Sequence, residues 1–159
     1  MALADRRVSV LKQELLDLIG CMSEFNGSPG LDVYSPEDMD EQQDLMQKPA
    51  FGISYQGSSP VDNEATAAAR GGVHSAALIT LYFQVIVVVE YTGGFMQTSV
   101  PDATDVLDAI RTAVYGYRGI GSRVWSFVGE IPYKVIGDGT VYYLQDWKTD
   151  IPLVGTSTT

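Results

Sequence analysis

Apolar residues near the start of the chain recur at spacings of three, four and seven: Val8, Leu11, Leu15, Leu18, Ile19 and Met22 share one side, with Lys12, Glu14 and Asp17 between them. That period predicts an amphipathic helix over residues 5–22. Asn26, Gly27, Pro29 and Gly30 end it, and the short run 31–34 predicts a first strand. A second helix is signalled by chemistry rather than period. Ser35 offers a hydroxyl N-cap, Pro36 suits the first helical position, and Glu37 and Asp38 meet the positive end of the dipole. This helix is expected to run to about residue 46.

Alternation takes over next. Residues 49–55 place Phe51, Ile53 and Tyr55 on one side of a strand. From 56 to about 76 the chain turns to Gly, Ser, Ala, Asn and Asp, with Pro60 and the pair Gly71-Gly72. This composition predicts a long loop that is mobile in an isolated subunit and orders on assembly. Residues 77–91 form the longest predicted strand. Ile79, Leu81, Phe83, Val85, Val87, Val89 and Tyr91 point one way, while the other face is polar at both ends and apolar at Ile86 and Val88, so that face is expected to be partly covered.

Thr92-Gly93-Gly94 breaks the strand, and Pro101 and Asp102 introduce a helix to residue 117 with a stripe of Val106, Ile110, Ala113, Val114 and Tyr117. Gly119 and Gly121 supply its stop. Strands over 123–133 and 140–153 follow, joined by Gly137-Asp138-Gly139, which predicts a tight two-residue hairpin turn. The expected fold is α+β, a mostly antiparallel sheet with two main helices packed on one face. It forms a single domain over residues 1–155, with the loop at about 56–76, no internal repeat, and a disordered polar tail at 156–159.

Composition narrows the function classes. With 159 residues, 45% hydrophobic and 19% charged, the chain can bury its own core. Twenty acidic against ten basic side chains give a net charge of −10, which argues against surfaces that neutralise phosphates or anionic lipid. Cys21 is the only cysteine, so no intrachain disulfide can form, and cytosolic folding is the simpler expectation. The first ten residues show no signal-peptide pattern. The longest apolar run, 76–89, contains Thr80 and Gln84 and is shorter than the roughly 20 residues of a membrane helix.

Candidate chemistry is sparse. His74, the only histidine, falls in the glycine- and alanine-rich segment, and nothing local prepares it to activate Cys21; a loop histidine and a buried helix-end thiol are the expectation. Glu37, Asp38, Asp40, Glu41 and Asp44 lack the glycine a calcium loop needs for its sharp turn, and read as a solvated acidic face. The glycine clusters follow neither dinucleotide nor P-loop spacing. Trp125, Phe127, Tyr142, Tyr143 and Trp147 lie on the last two strands, where packing alone favours aromatics. No residue is assigned a catalytic, cofactor-binding or metal-binding role, and the chain is expected to be no enzyme.

Several phrases, in order, carry a resemblance. They are the run 49–55 (Pro-Ala-Phe-Gly-Ile-Ser-Tyr), the break Thr92-Gly93-Gly94, the helix 105–111, and Phe127-Val128-Gly129-Glu130 ahead of a hairpin that ends in Val141-Tyr142-Tyr143-Leu144. Over about residues 8–151 these resemble the Mu-like tail terminator family of contractile-tailed phages and phage-tail-like bacteriocins. The resemblance implies a six-membered ring that caps the tail tube and sheath and meets the head-side connector, with no catalytic residues or cofactor. It implies a place in the virion tail or neck, assembled in the bacterial host cytoplasm. The segment 61–77, rich in Ala and Gly, departs from the family pattern. A head-tail connector or neck subunit would use the same physics, whereas a small ligand-binding or enzymatic α+β domain would need a pocket with convergent polar groups.

Overall fold

A computed structural model describes residues 8–25, 27–40, 48–61, 77–90, 103–119, 123–136 and 139–153. Helix α1 (Val8–Gly20) is followed by a 3-10 turn at Ser23–Phe25, strand β1 (Leu31–Asp32) and the short helix α2 (Pro36–Asp40). Then come β2 (Ala50–Pro60), β3 (Ala77–Glu90), helix α3 (Ala103–Tyr115), β4 (Ser126–Ile136) and β5 (Thr140–Leu153). The five strands form one sheet in the order β1-β2-β3-β5-β4. Only β1 and β2 are parallel; the other pairs are antiparallel. The fold is α+β. Among the described residues no helix is long and apolar enough to cross a membrane.

Strand alternation divides the core in two. On one face Phe51, Ile53, Leu81, Phe83, Val85, Val87, Val89 and Trp147 pack with Leu11, Leu15 and Ile19 of α1 and Val106, Leu107, Ile110 and Val114 of α3. Trp125 joins them edge-on to Phe83, with ring centroids 5.4 Å apart. On the other face a smaller cluster joins Ala50, Ile86, Val88, Tyr142 and Leu144 to Val33 and to Met39 of α2. The rest of that face is polar: Thr80 donates to Asp150 at 2.6 Å, and Gln84 to Asp146 at 2.9 Å. The second face of β3 is therefore apolar and buried at Ile86 and Val88, and carries hydrogen-bonded polar side chains at Thr80 and Gln84.

Several boundaries differ from the sequence reading. β2 does not stop at Tyr55 but continues to Pro60, pairing as far as Ile79. The residues from Gln56 on are weak strand formers, and it is the length of β3 that supplies their partners. A bulge between Tyr55 and Gly57 absorbs the irregularity, and Gly57 takes a φ of 116° that L side chains rarely adopt. The predicted loop thus loses its first five residues to the sheet, and 62–76 lie outside the described residues, as does 156–159. The first strand shrinks to two residues, and β4 is shifted toward the turn. Ile136 pairs with Thr140, which leaves three residues in the connection rather than two, with Gly139 at φ 92°. Helix α3 ends at Tyr115, directly before Gly116, so Gly119 is not its stop. Leu107 joins its buried stripe, while Ala113 and Tyr117 are half-buried.

Candidate assembly interface

The two ends of the sheet are built differently. β1 closes one end, but only against Gly52 and Ile53, with the Val33 amide adding a bond to the Ile53 carbonyl at 3.1 Å. At the other end β4 pairs with β5 on its inner side, and its outer side has no strand partner among the described residues. An open edge is ordinarily blunted by charge. Here exposed side chains on both faces of the strand are apolar: Phe127 is 41% exposed and Val135 70% on the side of α1 and α3, Ile131 56% on the other, and Val128 51% at a bulge.

The local sequence explains that exposure. β4 has apolar residues in both parities, so whichever face turns inward, others turn out. Bulges between Phe127 and Gly129 and between Pro132 and Lys134 shift the alternation twice. Pro132 has no N–H to offer a further strand, which favours side-chain docking over continuous strand addition at this point.

Both charged residues of β4 are consumed internally. Arg111 of α3 donates to both oxygens of Glu130 at 2.8 Å and also bonds Asp108. The Asp108 hydrogen bond, with the charge of Glu130, raises the Arg111 pKa above its ordinary value. Gln145, wholly buried, donates to Glu130 at 2.7 Å and to the Leu107 carbonyl at 3.1 Å, and accepts from Trp147 Nε1 at 3.3 Å. On the opposite face Lys134 bonds Asp40 and lies over the Tyr142 ring, 4.9 Å from its centroid. Tyr133 donates to Glu37, and this bond is the main reason the Glu37 carboxyl sits below its ordinary pKa. Neither charged side chain of β4 itself is left unpaired.

These contacts correct one expectation. Glu37 and Asp40 are not simply a solvated face; they clamp α2 to β4. Asp38 accepts from the amides of Tyr34 at 2.8 Å and Ser35 at 3.3 Å, a capping arrangement at the start of α2. Met39 is the buried anchor of α2, and it fits because Gly52 beneath it has no side chain: a Cβ there would lie 2.6 Å from the Met39 sulfur. Residues 41–47, with the predicted remainder of this helix, lie outside the described residues.

Cys21 is at the end of α1 as expected but exposed rather than buried, its thiol 3.2 Å from the Leu18 carbonyl. His74 and the pairs Gly71-Gly72 and Gly93-Gly94 lie outside the described residues. Trp125 and Trp147 are core residues, and Trp125 Nε1 donates to Glu14 at 2.8 Å beside a two-bond pair of Arg123 with the same carboxylate. Among the described residues no three His, Cys, Asp or Glu side chains are grouped as metal ligands would be. Phe127, Val128, Ile131 and Val135, apolar in mixed parity, are the sequence signal of this exposed edge. Comparison with known protein families and with curated proteins finds no match to this chain.

Proposed function

We propose that the chain is a structural subunit of a phage tail, a tail terminator. In this reading copies close into a ring of six at the head-proximal end, stop the growth of tube and sheath, and join the neck through the head-side connector. The single observation that supports it is the β4 edge, which has no further strand partner among the described residues and bears exposed apolar side chains on a chain of net charge −10, with both charged side chains of β4 paired. An acidic protein repels its own copies, so contacts between copies belong where the surface is neutral. The same net charge suits a passage through which DNA moves without specific binding, since carboxylates repel phosphate. No catalysis and no cofactor enters this role.

Deleting the gene in a producing phage tests the reading. Tails of undefined length, or tails that fail to join heads, are the expected outcome. Infectious particles of normal length would overturn it, and normal tails on leaking heads would transfer the chain to the head-tail connector class.

A further inference from the structure

The segment 31–40 ties the two ends of the sheet together. Just before it, Gly30 passes so close to the larger core that a Cβ there would collide with the Phe51 ring and with Leu16, which fixes the root of the segment. The chain then runs beside β2 as β1, turns onto the opposite face as α2, and reaches β4 at the far end of the sheet through the bonds of Tyr133 to Glu37 and of Lys134 to Asp40.

Its fastenings are short and mostly polar. At β2 they are the pairs Leu31–Gly52 and Asp32–Ile53, the Val33 amide on the Ile53 carbonyl at 3.1 Å, and the Ser54 hydroxyl donating to the Tyr34 carbonyl at 2.6 Å. At α1, Lys12 bonds Asp32 at 2.6 Å. Val33 and Met39 are the segment's buried apolar side chains, with Leu31 partly buried beside them. The five residues of α2 are far fewer than the roughly 12–15 a helix needs to persist by itself, so α2 stays folded only while it is docked. One fastening is also imperfect. Asp40 Oδ1 is buried without a hydrogen-bond partner among the described residues, which costs the docked state free energy.

We propose that residues 31–40 are a strap that opens as one unit, well below the free energy of global unfolding, and so gates the outer edge of β2. Opening withdraws Val33 and Met39 from the cluster of Ala50, Ile86, Val88, Tyr142 and Leu144, and frees the pairing groups of Gly52 and Ile53. Beyond Ser54 the outer side of β2 already has no strand partner among the described residues. A short unpaired edge thereby becomes a continuous one beside an apolar strip. An edge of that length is a template for pairing with another chain, and the closed strap keeps it short. This gating does not depend on the chain's being a tail subunit.

Native-state hydrogen exchange of the wild-type chain in rising sub-denaturing urea tests the strap. The Val33 and Asp38 amides, bonded to the Ile53 and Ser35 carbonyls, should exchange through one opening of small urea dependence, because little surface is uncovered. Amides at the centre of β3 should exchange only through global unfolding. Two variants separate the motions. Met39→Ala, which loosens α2 alone, should speed exchange at Val33 and Asp38 by the same factor, about thirtyfold or more. Ile110→Val in α3 should speed exchange at β3 about threefold or more and leave Val33 and Asp38 unchanged. Acceleration of Val33 and Asp38 by Ile110→Val would show that the strap leaves only when the whole domain unfolds, and would overturn the proposal. A Met39→Ala effect at Asp38 without Val33 would overturn it too, since β1 and α2 would then open separately.

Discussion

On the helix-bearing face of the sheet, Phe83, Trp125 and Trp147 are wholly or almost wholly buried against α1 and α3. On the opposite face, apolar burial is confined to the middle, under one helix of five residues that contributes a single buried side chain, Met39. The first face is held by area. The second needs fastening, and the two α2 carboxylates bonded to Tyr133 and Lys134 supply it. The comparison shows how one strand of strict alternation, β3, serves two cores of unequal strength, and why the weaker side relies on polar contacts that can be broken one at a time.

The sharpest break in that comparison is Phe83→Ala. It should cost about 3–5 kcal/mol of unfolding free energy, because it removes a ring at the centre of the larger core. A denaturant titration reads it directly. Glu14→Ala comes next: it strands Arg123 and the Trp125 indole N–H in a setting where the paired side chains are only 12% and 16% exposed. A loss of about 3 kcal/mol is expected, and a change indistinguishable from that of a surface residue would mean the pair is ornamental.

Met39→Ala should cost somewhat less, about 2–3 kcal/mol. Its distinctive signature is local: hydrogen exchange should accelerate around α2 while the α1 and α3 amides keep their protection. Uniform acceleration would erase the distinction between the two faces. Smallest of all should be the pH effect at Glu37. Its folded pKa is depressed, chiefly by the Tyr133 hydroxyl. Its contribution is therefore complete above the unfolded value, about 4.3, and is lost as pH falls through the lower folded value. Glu37→Gln should weaken the acid-dependent loosening of α2 and leave behaviour above that range unchanged, as followed by Tyr133 resonances. Loosening that begins at neutral pH would contradict the assigned sign.

Helices α1 and α3 and the long strand β3 were legible because each repeats one period for several turns or pairs. β2 was legible only as far as Tyr55. Ser58 and Ser59 carry no strand signal of their own, and their pairing with Leu81 and Thr80 is a tertiary decision. The parallel step between β1 and β2 was illegible for the same reason: two residues hold no pattern that gives direction. The candidate interface was hidden more deeply. An apolar strand reads alike at the centre and the edge of a sheet, and only the order β1-β2-β3-β5-β4 turns Ile131 and Val135 into surface. Trp147, on the neighbouring strand, remains core.

That strand order also governs when the domain can form. β5 lies between β3 and β4 and pairs along its whole length with β3, from Ala77 opposite Leu153 to Glu90 opposite Thr140. Its contact with β4 is a local hairpin, of the kind that closes within microseconds, but its contact with β3 joins distant parts of the chain and must wait for loop closure. During synthesis the other four strands emerge first, without the strand that joins β3 to β4. The hydrogen-bonding edge of β3 is then unpaired until residues 140–153 arrive, the interval in which a holding chaperone would matter most.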